Sequence, residues 1–329
     1  MGARPVIANF SPVESGFLQE VIALYSDLRD IDVVNVHRLP EAEIIDRVKD
    51  AVVLFGDFTF QTPITREIIR AAKNAKLIQQ PTEAVAHIDR RACAAAGLPL
   101  ANAAGANEVG AAEHIIMTAL CLLKKLTYLN QRMHRGEWLP EPALEAIGVF
   151  EAYGKTFGLI GMGRIGRAVA ERLKPFGLRA VYYDPRRLTP QEEEAYALTA
   201  VDMDRLLAFS DLISLHLSLT DDTRGLIGAK ELAAMKKTAL LIQVGRGGLI
   251  DEAALFQALK SGAIAGAALD GFAEEPIPKD YPLLGLENVI LTPQAAGATN
   301  EARPRQLELA IKNLIRVLRG EAPDHLVNV

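Results

Sequence analysis

A chain of 329 residues is long enough for two domains of ordinary size, each with its own core. Half of its residues are apolar, 23% are charged and the net charge is −5, which offers no basic field to nucleic acid and no polybasic anchor to a membrane. The opening MGARPVIANF lacks the apolar core of a signal peptide, and the longest apolar stretch, around Ile115–Leu123, is too short to span a bilayer, so a cytoplasmic protein is expected.

Strand-like runs fall at Val6–Phe10, Val33–Val36, Val52–Phe55, Leu77–Gln80 and Leu98–Asn102. Amphipathic stretches lie between them, near Phe17–Tyr25, Glu41–Val48, Thr65–Ala72 and Ile88–Ala96. This alternation predicts a parallel sheet with helices on its faces. The turn-rich NAAGAN at 102–107 marks a domain boundary. One long helix is then expected from Glu108 to Arg135, followed by a looser region with Trp138 and several prolines. From Thr156 the alternation resumes, with strands at Phe157–Ile160, Ala180–Tyr183, Leu212–Leu217, Ala239–Val244, Ala267–Leu269 and Val289–Leu291. Leu307, Ile311, Leu314 and Leu318 recur at helical spacing within Asn300–Arg319, so the chain's last element is an amphipathic helix. Cys93 and Cys121 stand far apart in helical stretches and read as reduced core residues, with no disulfide and no metal site.

The most informative stretch is GKTFGLIGMGRIGRAVAERLKPFG. A strand ends at Ile160 and runs directly into Gly161-x-Gly163-x-x-Gly166. Ile165, Val169 and Leu173 continue at i, i+4 and i+8, the packed face of a helix. Gly161 permits the tight turn, Gly163 lets the backbone approach a pyrophosphate, and Gly166 lets helix and strand pack closely. The helix start at Arg164 and Ile165 offers free N–H groups to the phosphates. The next strand ends in Asp184, a carboxylate placed to hold the adenosine ribose hydroxyls. It would repel a 2′-phosphate, which favours NAD over NADP, although Arg186 and Arg187 follow at once and partly offset that.

Downstream, SDLISLHLSLTDDTRGLIG, LLIQVGRGGLIDEAAL, GAALDGFAEEP and LENVILTPQAAGAT resemble, in order, the signatures of the D-isomer-specific 2-hydroxyacid dehydrogenases. NAAGANEVGAAEH and the C-terminal RGEAPDHLVN are similar to that family too, so the resemblance covers nearly the whole chain. It implies an α/β fold of two Rossmann-like, doubly wound parallel-sheet domains with the active-site cleft between them. Residues 1–102 and 296–329 would form a discontinuous, flavodoxin-like substrate domain, and 103–295 the NAD domain. A homodimer through the NAD domain is implied as well. The chemistry would be hydride transfer between nicotinamide C4 and C2 of a small carboxylic acid. Arg246 would grip the substrate carboxylate, and Val244, Gly245 and Arg246 would also border the cofactor. Glu275, rather than its neighbour Glu274, would pair with the catalytic group at 294. Asp270 matches the aspartate near the nicotinamide carboxamide. His216 lies beside the cofactor and is expected to pack and hydrogen-bond rather than to catalyse.

Two positions depart from the family. Its catalytic histidine falls at Gln294, and an amide cannot give or take a proton at accessible pH as imidazole does. Its glycine-rich carboxylate cradle is replaced by Thr82, Glu83 and Ala84. Glu83 would repel a carboxylate if turned inward and would be a solvated charge if turned outward. His87, nearby, is expected to be structural, with a proton-handling role as the alternative. Three readings follow. One is an NAD-dependent oxidoreductase on a 2-hydroxy or 2-oxo acid with an atypical acid/base group such as water, Glu275 or His87. Another is a dehydrogenase of a non-carbonyl hydride donor of formate type. The third is a catalytically weak NAD(H)-binding regulatory protein.

Overall fold

The computed structural model describes residues 4–327. Of these, residues 4–107 and 300–327 form one α/β unit, and Glu108–Thr299 form another. No helix among the described residues is long and apolar enough to cross a membrane.

In the first unit, β1 (Val6–Asn9), β2 (Asp32–Asn35), β3 (Ala51–Phe55), β4 (Leu77–Gln79) and β5 (Leu100–Ala101) form a sheet ordered β2-β1-β3-β4-β5. All its pairings are parallel. Parallel strands are covered on both faces, and alternate residues of each strand divide between two cores. Ala8, Leu54 and Ile78 join one core with Ile44, Ile68 and Cys93. Ile7, Val53, Phe55 and Leu77 join the other with Leu18, Ile22, Ile311, Leu314 and Ile315. The last helix, Ala302–Leu318, therefore lies beside Ser15–Tyr25 and completes a face the first hundred residues leave open.

In the second unit, β6 (Thr156–Ile160), β7 (Arg179–Tyr183), β8 (Leu198–Ala200), β9 (Leu212–Leu215), β10 (Leu240–Gln243), β11 (Gly266–Leu269) and β12 (Val289–Leu291) are ordered β12-β11-β10-β9-β6-β7-β8. Leu159, Leu212, Leu240 and Ala268 face the helices Glu108–Leu123 and Arg164–Leu173. Ile160, Ile213, Leu241 and Ala267 face Met203–Phe209 and Glu252–Ser261. The strand order reverses between β6 and β9, where an open α/β sheet leaves a crevice at its carboxyl ends.

The structure departs from the sequence expectation in four places. The helix expected from Glu108 to Arg135 is two, Glu108–Leu123 and Leu126–His134, broken where Lys125 takes φ 52°. The looser region contains a short helix, Glu141–Ile147, and β8 is a strand too short to read from its apolar content. The joints fall after Asn107 and Thr299 rather than after 102 and 295. Hydrogen bonds explain both shifts. Ala103 N–H donates to the Thr82 carbonyl, and the Arg305 side chain to the Ala106 carbonyl, holding 103–107 to the first unit. Ala296 N–H donates to Asp270, holding that loop to the second.

Candidate active site

The residues singled out in the second unit all follow carboxyl ends of its strands. After β6, Gly161 takes φ 95°, and a Cβ there would meet Leu217 at 2.7 Å and the His216 carbonyl at 3.1 Å. A Cβ on Gly166 would lie 2.2 Å from the Gly161 carbonyl, so only glycine lets the helix Arg164–Leu173 sit this close to the turn. Gly163 differs, since a Cβ there would meet nothing within 4 Å. Its side opens outward, and no side chain caps the first-turn N–H groups. Arg164 is exposed and Ile165 half-buried at that turn. Asp184, after β7, accepts from the Met162 N–H at 2.7 Å and the Arg186 N–H at 2.8 Å, which ties the carboxylate to the turn. Arg167 braces the same turn, donating to the Met162 carbonyl at 3.1 Å.

His216 follows β9, directly across the strand-order reversal. Its Nδ1 lies 3.3 Å from the Gly161 carbonyl, an acceptor, so Nδ1 carries the proton and Nε2 is left as a buried acceptor without a partner. Burial pushes the imidazole down to about 4, so it is neutral at pH 7.

Three neighbouring loops carry the remaining residues. After β10, the buried Gln243 donates its amide N–H to the Arg246 carbonyl and fixes the backbone of the Val244–Gly245–Arg246 turn. A Cβ on Gly247 would fall 1.8 Å from the Phe272 carbonyl carbon, and one on Gly271 would fall 2.2 Å from the Gly245 oxygen. The arginine loop is thus pressed flat on the loop after β11. The Arg246 side chain is exposed, and no ion pair engages it among the described residues.

After β11, Asp270 is 3% exposed. Its carboxylate accepts from the Ala295 N–H at 2.8 Å, the Ala296 N–H at 2.9 Å and the Thr292 hydroxyl. Because the Thr292 hydroxyl donates there, its oxygen accepts from His114 Nε2 at 3.2 Å. Burial lowers the His114 pKa, with the Asp270 charge pulling the other way. Asp270 therefore anchors the loop after β12, which carries Gln294. Gln294 takes φ 53°, and its N–H donates to the Asp270 carbonyl at 2.9 Å. Its side-chain nitrogen donates to Glu275, whose other oxygen accepts the Phe272 N–H at 2.9 Å. The pairing of position 294 with Glu275 is present, while Glu274 is an exposed charge.

In the first unit, the hydroxyl of Thr82 accepts from Gln80 at 2.8 Å. Glu83 is exposed and its carbonyl accepts from Asn102 at 2.8 Å, while Ala84 is half-buried. His87 stacks edge-on against Phe60 with ring centroids 5.0 Å apart, and both its nitrogens are buried without partners. Burial lowers its pKa, only partly opposed by Asp57, and a neutral packed imidazole is its structural reading. Sequence reasoning missed Arg167, Gln243, His114 and Thr292. All four lie within the motifs, but each acts through the backbone or through another side chain, so the motif gives it no role; only their places at strand ends or near the start of a helix point to them.

Residues 116–296 match the model of the D-isomer specific 2-hydroxyacid dehydrogenase NAD binding domain. A glyoxylate reductase of Korarchaeum cryptofilum is 40% identical over 286 residues, 87% of this chain and 85% of that protein. Among solved structures, D-lactate dehydrogenase with NAD+ from Lactobacillus jensenii superposes with a TM-score of 0.80 at 30% identity, over 98% of this chain and 100% of that one. An acyclic imino acid reductase in complex with NADPH and D-arginine superposes with a TM-score of 0.81 at 28% identity, over 98% and 100%. Together with the switch-point cradle, these matches define an NAD-dependent oxidoreductase. The chain belongs to the D-isomer-specific 2-hydroxyacid dehydrogenase family. Its residues fit the family's cofactor, NAD: Gly163 leaves room for close approach, the helix start is uncapped, and His216 Nε2 is a buried acceptor in want of a donor.

Proposed function

We propose that this protein interconverts a small 2-oxo acid and its 2-hydroxy acid, glyoxylate being the first candidate. Bound NAD supplies the hydride donor and acceptor. Gly161, Gly163, Arg164, Ile165, Gly166 and Asp184 would hold its adenosine diphosphate end. His216, Val244, Gly245 and Asp270 would border the nicotinamide end. Arg246 takes the substrate carboxylate through its planar fork. The observation that carries this reading is Arg246 itself: an exposed guanidinium with no ion-pair partner among the described residues, on a turn that Gln243, Gly245 and Gly247 hold rigid against the loop that carries Glu275. Gln294 stands where a proton donor would act and leaves the proton to water, since no imidazole stands there.

A homodimer is part of the proposal. The helices Leu126–His134 and Glu141–Ile147 bury no residue, and Leu126, Met133, Trp138 and Phe150 lie exposed around them, which supports a second copy as their cover. Light scattering at micromolar concentration tests it, and a monomer sinks it. Two free cysteines, one of them buried with its thiol pushed up to about 11, suit a reducing cytoplasm.

The test of function is NADH oxidation by wild type and Gln294→His over glyoxylate, pyruvate, hydroxypyruvate and phenylpyruvate, with NADH binding titrated first. Turnover on the order of 1 s⁻¹ by wild type supports the reading. NADH binding with no turnover of any acid favours a sensing protein, and NAD+ reduction by formate in the absence of such turnover favours the non-carbonyl donor.

A further inference from the structure

Gln294 and Glu275 together fix the chemical character of the atom that this site accepts at C2, an inference that rests on the proposed role of Arg246 in holding the substrate carboxylate. A carboxylate accepts hydrogen bonds and donates none, so it dictates which end of a facing amide turns toward it. The Gln294 nitrogen meets Glu275, and the amide oxygen is therefore the end left outward. The loop and the carboxylate that position this amide are themselves tied down. Glu275 is tethered by the Phe272 N–H at 2.9 Å, the Gln294 N–H is bound to the Asp270 carbonyl at 2.9 Å, and the Asp270 carboxylate gathers the N–H groups of Ala295 and Ala296. The side chain is exposed, and no donor among the described residues reaches its oxygen. The site thus offers a pre-oriented acceptor.

The charge points the same way. A neutral amide leaves the Glu275 charge uncompensated, and no cationic side chain pairs with Glu275 among the described residues. The Arg246 loop is packed directly against the loop of Glu275, through Gly247 on Phe272. A ligand that satisfies both features carries a carboxylate for Arg246 and a cationic N–H donor on the adjacent carbon. A ketone oxygen, which can only accept, satisfies neither the amide oxygen nor the negative charge.

We propose that the preferred substrate is a 2-oxo acid in the form of its protonated imine, condensed with ammonia or a primary amine, and that the product is a 2-amino acid. The step then needs no proton from the chain. Hydride from the reduced nicotinamide adds to C2 of R–C(=NH2+)–COO−, the C=N π pair becomes the nitrogen lone pair, and R–CH(NH2)–COO− and NAD+ are formed; the amine later takes a proton from water. Reduction of the ketone instead creates an alkoxide, and Gln294 has no proton to give it. Glu275 contributes by favouring the charged imine over the unreactive neutral one, as a nearby opposite charge does.

Two readouts test this. The first is binding without turnover: calorimetric titration of the NAD+-loaded protein with glycine against glycolate and with D-alanine against D-lactate. The ammonium ligands should bind about tenfold more tightly, and both Glu275→Gln and Gln294→His should erase or invert that order. The second is NADH oxidation with glyoxylate or pyruvate, with and without ammonium or methylamine, the product identified by mass spectrometry. An acceleration of about tenfold or more with the amine, giving glycine, alanine or their N-methyl forms, is the expected result. Hydroxy acid as sole product, at a rate indifferent to amine, overturns the proposal while leaving the 2-oxo acid reading intact. Silence with every acid, combined with preferred glycine and D-alanine binding, supports the recognition proposed here and removes the reading as a 2-oxo acid reductase. Silence with glycolate and D-lactate preferred removes both.

Discussion

Both units are parallel sheets with polar residues at or just beyond the carboxyl ends of strands, yet they treat those residues in opposite ways. In the first unit the polar groups are buried and engaged by the fold. Asn9 accepts from the Ser11 N–H and hydroxyl, and Gln79 accepts from Asn313 of the last helix at 2.6 Å. Asp57 is fully buried and accepts from the Thr59 N–H and hydroxyl, the Gln61 N–H and the Thr62 N–H. In the second unit Gly163 faces open space, Arg246 has no ion-pair partner among the described residues, and Gln294 presents an oxygen outward. Polar groups that a fold satisfies internally serve stability, whereas those it fixes in place and leaves unsatisfied are prepared for a ligand. The buried orphans of the first unit, Gln80 Oε1 and the two nitrogens of His87, are the exceptions on that side.

The largest effect should come from the least integrated side chain. Arg246→Ala should lower kcat/KM by about 10²–10⁴-fold, because a charge-assisted carboxylate grip is lost, with Arg246→Lys restoring only part. Its melting temperature should hold, since the guanidinium supports nothing in the fold. An Arg246→Ala enzyme within tenfold of wild type would move substrate binding elsewhere.

A crossed pair of variants sharpens the contrast between the units. Burial alone would raise the Asp57 carboxyl, but hydrogen bonds from Thr59, Thr62 and Gln61 hold it below its usual range. Asp57→Asn turns an amide donor toward some of those donors and should cost about 2–4 kcal/mol in urea unfolding, with NADH affinity unchanged. Gly163→Ala should do the reverse. Its φ of −69° suits alanine and the methyl meets no protein atom, so stability stays while NADH binding weakens about tenfold or more. A loss of NADH affinity in Asp57→Asn would break the separation.

The architecture was legible in the sequence because apolar periodicity records which face of each element is buried, and every strand of both sheets but the short β8 follows from it. The phosphate cradle was legible for a different reason: Gly161 and Gly166 are required by backbone conformation or close approach, and such requirements leave few residue choices. The break at Lys125 was not legible, since a lysine gives no sign of a left-handed backbone. Nor was the dual service of Asp270, assigned to the cofactor by motif yet bonded to three donors of the Gln294 loop. Networks of that kind depend on which loops become neighbours, and β11 and β12 become neighbours only in the folded sheet.

Acid should expose the second unit's unsatisfied imidazole. His216 titrates near 6.5 when unfolded and near 4 when folded, the value being depressed by burial. Its contribution to stability is complete above pH 6.5 and is lost as pH falls from 6.5 toward 4, because the unfolded chain binds the proton first. The loss should be on the order of 2–3 kcal/mol over that window. His87 and His114 are lowered in the same sense and share in the slope. His216→Gln should flatten the dependence of unfolding free energy on pH between 7 and 5. An unchanged slope would assign the acid sensitivity to the other two histidines.

The smallest effect separates two residues with nearly the same φ. Lys125 and Gln294 both adopt left-handed φ, 52° and 53°, without being glycine. Such a conformation costs a residue with a Cβ roughly 1 kcal/mol, which glycine avoids. At Lys125 the turn only redirects the chain between two helices, so Lys125→Gly should raise stability by up to about 1 kcal/mol, a few degrees in melting temperature at most, with activity unchanged. At Gln294 the same relief removes the amide that Glu275 orients, so Gln294→Gly should match that gain in stability and lose ligand preference at C2. The backbone conformation alone does not separate the two positions; the hydrogen bond of the Gln294 amide to Glu275 does. Equal loss of activity in both variants would show that the left-handed turn at Lys125 also positions the site.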